Sequence, residues 1–228
     1  TLGAILPKMT KKLYIFILLL ALIPITGISQ TDMQQNWNQI DTSFIWKKSG
    51  LTWEESSADI ILTCRKHNDS IFDIFILNNS KDSIKIYTHN SKLQLIQEAK
   101  NVEGKWKPIE YFGDVGCGFD VWFSKLEGNG IIKTSSKAYQ GKFKTEIRFK
   151  LLFNDKTYYS NSVSGNIDLS QFLLSDKVKQ ESGYYIYKKF AGEKIAQKVI
   201  FLEPNGVKEY LQRNKEYSEE WNRKNKKQ

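Results

Sequence analysis

The stretch FKTEIRFKLLF, residues 143–153, decides the fold that the sequence predicts. Four charged residues alternate there with apolar residues and one threonine; they are Lys144, Glu146, Arg148 and Lys150. Successive side chains of a β-strand point to opposite faces of the sheet. The stretch therefore predicts a half-buried strand with one apolar face and one charged face toward solvent.

A hairpin is predicted immediately after this strand. The Asn-Asp pair at 154–155 separates it from a second extended run, KTYYSNSV. Asn and Asp tolerate the positive φ that a two-residue hairpin turn requires. We therefore expect Phe153 to pair with Lys156 and Leu151 to lie opposite Tyr158, so that the apolar face continues onto the second strand.

Similar short strands and turns occupy the rest of residues 59–172. The run IFDIFIL at 71–77 is apolar enough for a central strand, whereas Pro108 favours an edge strand or a bulge. Turns recur about every 8 to 12 residues, as is typical of β-sandwiches. The sequence predicts an all-β fold, an antiparallel Ig-like sandwich at 59–172 that is followed by a C-terminal amphipathic helix.

Composition and charge restrict the possible partners. The chain has 228 residues, of which 40% are hydrophobic and 13% aromatic, enough to bury the core of one main domain. Its net charge of +9 is spread along the chain, whereas a nucleic-acid-binding protein would cluster its cations. The charge suits contact with anionic envelope polymers or lipid headgroups, and no nucleic acid is expected.

Residues 1–29 are predicted to comprise an extension and a secretory signal peptide. Lys11 and Lys12 precede an apolar run at 13–25, and small residues precede a cleavage position before Gln30. A membrane-spanning helix needs about 20 apolar residues, so cleavage is favoured over anchoring. We therefore expect an exported protein, located in the periplasm, on the outer surface or in the medium.

Segment 30–58 is polar, without a sustained period, and is predicted to be irregular. It contains Trp37, Trp46 and Trp53, for which two interpretations exist. The indole rings could serve as stacking platforms for sugar rings, or they could be buried anchors across the sandwich. The second interpretation is favoured because large aromatic side chains are usually well buried.

Two segments follow the predicted sandwich. At 173–203, the runs YYIYKKF and KIAQKVIFL flank Gly192 and predict an extra hairpin, although the second run also fits a helix. At 204–228, apolar residues at near-helical spacing predict a basic helical tail. The basic end suits peripheral membrane contact or complements the helix C-terminus, and the latter is favoured.

Cys64 and Cys117 are the only cysteines of the chain. Cys64 is in phase with Ile60 and Leu62, so we expect it to point inward. An exported protein meets oxidising conditions, and a disulfide closing this loop would contribute about 4 kcal/mol. A bridge between the two cysteines and a pair of unlinked thiols are both compatible with the sequence.

Motifs for catalysis are scarce. The two histidines, His67 and His89, have no neighbours at metal-ligand spacing, so no metal and no cofactor are expected. The glycine-rich loop around 113–120 lacks the residue order of a calcium loop. A pair of carboxylates for glycoside hydrolysis could come from this region, where the acidic residues are Glu110, Asp114 and Asp120.

Several motifs carry a resemblance to a known group of proteins. They are WKPIEY at 106–111, Cys117-Gly118, YQGKFKTEIRFKL at 139–151, YYSN at 158–161 and GNIDLSQF at 165–172. Together they resemble the uncharacterised exported β-sandwich proteins of Bacteroidetes-type bacteria, over about half of the chain. The resemblance implies export and a sandwich fold. It implies no activity, so no functional residue follows from it.

Two functions of different classes are compatible with these features. The first is a non-catalytic exported envelope or surface module that binds a protein or a glycan. Its candidate binding residues are Lys144, Arg148 and Lys150 on the charged face, with Trp37 and Trp53 as platforms. The alternative is a polysaccharide hydrolase that uses the loop carboxylates. The first is favoured, because the sequence contains no recognisable set of catalytic groups.

Overall fold

The computed structural model describes residues 33–35, 40–41, 57–89, 92–113 and 121–225. The predictions for the signal peptide at 1–29, for the three tryptophans of segment 30–58 and for Cys117 concern residues outside these ranges. The described part is rich in strands but not all-β, since about 43% of it is strand and 30% is helix.

Fourteen strands lie in the described part of the chain. In chain order they are β1 (Gln34–Gln35), β2 (Ile40–Asp41), β3 (Ile60–Asn68), β4 (Ile71–Asn78), β5 (Ile84–His89), β6 (Lys92–Leu93), β7 (Leu95–Lys100), β8 (Trp106–Pro108), β9 (Glu110–Tyr111), β10 (Val121–Leu126), β11 (Ile131–Lys137), β12 (Phe143–Phe153), β13 (Lys156–Tyr159) and β14 (Val163–Ile167).

These strands form three antiparallel sheets and one short parallel pair. A four-stranded sheet has the order β2-β11-β4-β3 and curls into a half-barrel. A five-stranded sheet has the order β13-β12-β7-β8, with β14 also paired to β12. A three-stranded sheet has the order β10-β5-β6, and β1 pairs in parallel with β9.

The predicted central strand at 71–77 is confirmed as β4, and Pro108 lies in the edge strand β8, as predicted.

The predicted hairpin is confirmed in its register. Phe153 pairs with Lys156 and Leu151 with Tyr158, across a turn in which Asn154 and Asp155 have φ of 48° and 60°. The strand β12 is central in the five-stranded sheet, with β7 on one side and both β13 and β14 on the other. Its apolar face enters the main core.

The main core draws side chains from all three sheets. Phe72 of β4 and Phe149 of β12 meet edge to face with ring centroids 5.9 Å apart. Each of these phenylalanines is at most 2% exposed, so the four- and five-stranded sheets share this core. Cys64 is 2% exposed in the same cluster, which confirms that it points inward.

Four helices and a short 3-10 helix follow the strands. They are the 3-10 helix Leu169–Phe172, α1 (Asp176–Gln180), α2 (Ser182–Ala191), α3 (Glu193–Ile200) and α4 (Pro204–Asn225). The predicted C-terminal helix is confirmed as α4. Of the helices described, none combines the length and the apolar character needed to span a membrane.

The extra hairpin predicted at 173–203 is wrong, because this segment is helical. Tyr184, Tyr187, Ala191 and Ile195 recur every three or four residues and are buried in a second core. Gly192, expected in a hairpin turn, instead ends α2 with φ of 86°, and its N–H donates to the carbonyl of Lys188. The β-propensity of tyrosine and isoleucine was therefore outweighed by helical packing.

The solvent-facing position predicted for Lys150 is also wrong. Lys150 is 1% exposed, because the turn between α3 and α4 covers this face of the five-stranded sheet. Ile96, Leu152 and Leu202 form a third apolar cluster at the same junction. Both faces of β12 are therefore buried around residues 150–152, whereas Lys144 and Glu146 remain exposed.

Candidate functional site

A cavity of about 340 Å³ lies where three segments of the chain meet. These segments are the turn between β3 and β4, the connection from β11 to β12, and strand β14. Its deep part contains Phe72, Gln97 and Tyr139, which are at most 5% exposed. Its rim is exposed and polar, and the rim residues include Lys66, Lys144, Ser164 and Asn166. The cavity thus connects the buried interior with the surface.

Two glycines allow the walls of the cavity to approach each other. A Cβ atom on Gly141 would lie 2.0 Å from the carbonyl carbon of Ile167, so only glycine fits at this crossing. A Cβ atom on Gly165 would lie 2.6 Å from Cγ1 of Ile147. Because glycine in a strand commonly marks a close approach of this kind, these residues position β14 at the edge of the cavity.

Hydrogen bonds fix the opposite wall. The backbone N–H of Ala138 donates to the carbonyl of Ser70 over 2.8 Å, and Nε2 of Gln140 donates to the carbonyl of Asp69 over 2.6 Å. The connection between β11 and β12 is therefore tied to the turn between β3 and β4. This wall has a defined position because one backbone and one side-chain hydrogen bond join the two segments.

Lys144 supplies the uncompensated charge of the cavity. The other rim cation, Lys66, lies 2.6 Å from the Asp69 carboxylate, and its hydrogen bond and charge lower the pKa of Asp69. Lys144 forms no ion pair with any described residue. The rim therefore has one positive charge that is available to an anion.

A buried carboxyl group lies behind the deep end of the cavity. Glu110 accepts hydrogen bonds at Oε1 from the Tyr139 hydroxyl and from Nε2 of Gln97, both over 2.8 Å. The backbone N–H of Gln97 donates to Oε2 of Glu110 over 2.9 Å. Burial raises the pKa of Glu110 to about 7, although these hydrogen bonds act in the opposite direction.

The two polar atoms of the Gln97 side-chain amide differ in their hydrogen bonds. Its Nε2 atom also faces Oγ of Ser136 at 3.0 Å and the carbonyl of Lys137 at 2.8 Å. Its Oε1 atom is buried and has no hydrogen-bond partner among the described residues. A buried acceptor without a donor costs about 1–3 kcal/mol. Gln97 belongs to the cavity lining, but its Oε1 atom is enclosed within the wall.

This combination suits a small polar ligand with an anionic group. Ser164 and Asn166 provide polar groups at the rim, and Lys144 provides a cation there. Glu110 is fully enclosed behind Gln97 and Tyr139 and holds them in place, rather than facing the cavity. Asp114 and Asp120, the other carboxylates considered for hydrolysis, lie outside the described residues. Among the described residues, no cluster of His, Cys, Asp or Glu could hold a metal ion.

The structure separates the three cations that were predicted to share one face. Only Lys144 reaches the cavity. Arg148 instead donates from Nε and Nη2 to Oε2 of Glu98 over 2.8 and 2.6 Å. Its guanidinium carbon lies 4.4 Å from the ring centroid of Trp106 and 3.9 Å from that of Tyr159. Arg148 is therefore already occupied by a carboxylate and two aromatic rings.

The ammonium group of Lys150 is bound by residues between helices α3 and α4. Its Nζ atom donates to the carbonyl of Phe201 over 2.9 Å and lies 2.5 Å from Oε1 of Glu203. Oε1 of Glu98 is 3.8 Å away on the sheet side. A ligand in solvent has no access to this ammonium group. Lys150 thus connects the helices to the sheet.

The remaining site predictions have different outcomes. Cys64 is buried, and burial and the nearby Asp73 raise the pKa of its thiol. Because Cys117 is not described, the disulfide between these residues stays a prediction. Trp37 and Trp53 also lie outside the described residues, so their role as platforms stays a prediction.

Two residues of the site were not predicted, although the sequence contains a signal for each. Gln97 is a polar residue inside the apolar run LQLIQEA, where a buried amide needs hydrogen-bond partners. Gly165 interrupts the strand-like run VSGNI, which indicates a close approach of another backbone or side chain. The partners of these residues are distant in sequence, so their meeting point could not be predicted locally.

Comparisons with known proteins add no family to this description. No protein-family model and no curated protein matches the chain.

Proposed function

We propose that this protein is a non-catalytic, exported envelope or surface module that binds an acidic glycan. A sugar acid residue occupies the cavity, with its carboxylate at Lys144. The observation that carries the proposal is the presence, at the rim of one cavity, of a cation without an ion pair beside the polar side chains of Ser164 and Asn166.

The size and lining of the cavity support a sugar as the ligand. Its volume of about 340 Å³ is at the lower end of the range for small-molecule sites, which suits one sugar residue. Ser164 and Asn166 supply polar groups at the rim for the hydroxyls of the sugar.

The proposal places the cavity in an exported Ig-like sandwich. The four- and five-stranded sheets form its two layers, an arrangement that their shared core at Phe72 and Phe149 supports. The predicted signal peptide at 1–29 and the resemblance to exported sandwich proteins support export. Peripheral membrane contact through the basic tail is a secondary proposal, supported by the exposed side chains of Leu211 and Trp221 on α4.

Isothermal titration calorimetry with monosaccharides tests the glycan proposal. We expect saturable binding of glucuronate or galacturonate and weaker binding of glucose, which lacks the carboxylate. Lys144→Ala should weaken uronate binding about tenfold or more, because a charge-assisted hydrogen bond contributes about 1.5–3 kcal/mol. Lys156→Ala is the matched control. This exposed lysine of β13 pairs with Phe153, at the end of β12 that is about 30 Å from Lys144.

Three results would contradict the proposal. They are the absence of saturable binding for both uronates, equal binding by the Lys144→Ala and wild-type proteins, and equal binding of acetate and uronate. The third would indicate a general anion site in which sugar hydroxyls make no contribution. Turnover of an oligouronide by the purified protein would favour the hydrolase alternative instead.

A further inference from the structure

Strand β10 has a neighbouring strand on one side only. It pairs with β5 in antiparallel register from Val121 to Leu126, and no described strand pairs with its other edge. In such a strand about half of the backbone N–H and C=O groups point away from the sheet. No described group bonds to the outward backbone groups of residues 121–125.

Four other edge strands of the described structure have features that discourage further pairing. Pro108 lies in β8, and the edge strand β3 has Arg65 and Lys66 in its exposed half. β2 and β6 contain only two residues each. Proline, charge and short length are common protections of sheet edges. β10 has six residues and no proline, and its only charged residue, Lys125, follows the aromatic pair Trp122 and Phe123.

The side chains around this edge are exposed and aromatic. Trp122 is 68%, Phe123 57% and Tyr87 47% exposed. Phe123 lies directly opposite Tyr87 in the register, with ring centroids 6.2 Å apart. Trp122 points to the other face of the sheet, because neighbouring residues of a strand alternate. A strand added beside β10 would therefore bury an aromatic side chain on each of its faces.

Two lysines place positive charge beside β10. Lys85 and Lys125 lie directly opposite each other in the ladder, an arrangement of like charges that is unfavourable by itself. Nζ of Lys85 lies 4.7 Å from the ring centroid of Phe123, and Nζ of Lys125 lies 2.8 Å from Oε1 of Glu127. An acidic side chain from a partner would relieve the repulsion between the two lysines.

We propose that β10 binds an extended, acidic segment of a partner protein as an additional antiparallel or parallel strand. The outward backbone groups supply the hydrogen bonds, and Lys85 and Lys125 select acidic residues on one face of the added strand. A second copy of this chain is a poor occupant, because β10 itself contains no acidic residue that could pair with Lys125 or Lys85. This site is independent of the cavity, with which it shares no residue.

Peptide binding measured by NMR or calorimetry tests this proposal. The probes are an acetylated eight-residue peptide of alternating Val and Glu, its Val/Lys counterpart, and a Val/Glu peptide with N-methylated backbone at alternate residues. We expect saturable binding of the first peptide only. Lys85→Glu should weaken that binding about tenfold, whereas Lys81→Glu, the same charge change in the adjacent exposed turn, should have a much smaller effect.

Each other outcome would overturn the proposal. Absence of binding by the Val/Glu peptide, or equal binding of its N-methylated form, would exclude strand addition. Displacement of the peptide by polygalacturonate, with the same dependence on Lys85, would indicate a glycan surface. Self-association of the wild-type protein that Phe123→Ser abolishes would identify a second copy as the occupant. The Lys144→Ala variant should bind the peptide normally, so that failure of this proposal and failure of glycan binding are distinguishable.

Discussion

At the scale of single residues, Lys150 is a buried cation that joins two parts of the molecule. It lies on the same face of β12 as Leu152, and its ammonium group contacts Phe201 and Glu203 just after the end of α3. A buried charge is tolerated only when it is paired and hydrogen-bonded, which is the case here. Lys150 therefore specifies where the helices dock, in addition to contributing stability.

Lys150→Ala should lower the free energy of unfolding by about 2–3 kcal/mol, because it leaves the Phe201 carbonyl without its donor and opens a gap at the junction. Urea denaturation measures this change. Lys156→Ala, an exposed lysine on β13, should change stability by less than about 0.5 kcal/mol. Equal effects of the two substitutions would mean that the helices do not dock on this face.

Glu110 should make stability depend on pH. Burial raises its pKa from 4.5 to about 7, so between these pH values the folded protein binds more protons than the unfolded chain. The contribution of Glu110 to the free energy of unfolding therefore decreases as pH rises from about 4.5 to about 7, and is constant above pH 7.

Glu110→Gln, which cannot ionise, should reduce this decrease when urea melts are recorded at intervals between pH 4.5 and pH 8. Glu103→Gln, in an exposed turn, should retain the wild-type profile. The comparison of profiles, rather than of absolute stability, isolates the titration, because the new amide nitrogen cannot accept the hydrogen bond that the backbone N–H of Gln97 donates to Oε2 of Glu110. Parallel profiles for the wild type and Glu110→Gln would show that Glu110 titrates alike in the folded and unfolded states.

At the scale of elements, helices α3 and α4 pack closely through a glycine. A Cβ atom on Gly206 would lie 2.3 Å from Cβ of Lys198 and 3.0 Å from its carbonyl carbon. Gly206 is in the first turn of α4, which begins at Pro204, a favourable first residue of a helix. The sequence of this helix therefore includes a glycine for packing reasons and despite its low helix propensity.

Gly206→Ala should destabilise the protein by about 1–3 kcal/mol through overpacking. Helix propensity alone predicts the opposite sign, a gain of up to about 1 kcal/mol. Thermal or urea denaturation decides between the two. Ser218→Ala, at an exposed position of the same helix, is the control and should change stability by less than about 0.5 kcal/mol. A stabilised Gly206→Ala protein would contradict the close packing of α3 and α4.

At the scale of the whole molecule, the cavity and the β10 edge belong to a protein that we propose is exported. Export predicts that the mature chain begins at Gln30, because the small residues before it form a cleavage position. N-terminal sequencing of material from the periplasm or medium of an expressing bacterium measures this directly. Exported protein that retains residues before Leu22 would contradict cleavage at this position.

The sequence by itself determined the parts of this fold that depend on neighbouring residues. Alternation of apolar and charged side chains predicted β12, and the Asn-Asp pair predicted the register of its hairpin, because strand period and turn geometry are local properties. The inward position of Cys64, the edge position of Pro108 and the C-terminal helix followed from equally local patterns.

Only the tertiary structure decided which faces are covered and which distant residues meet. Burial of Lys150 depends on helices some 50 residues later in the chain, although the consecutive apolar pairs Leu95–Ile96 and Leu151–Leu152 already indicated that both faces are buried. The helices at 173–203 form because their apolar residues pack against each other and against Tyr111. The cavity likewise exists because Gln97, Lys144 and Gly165 are brought together by strand pairing, which no local pattern encodes.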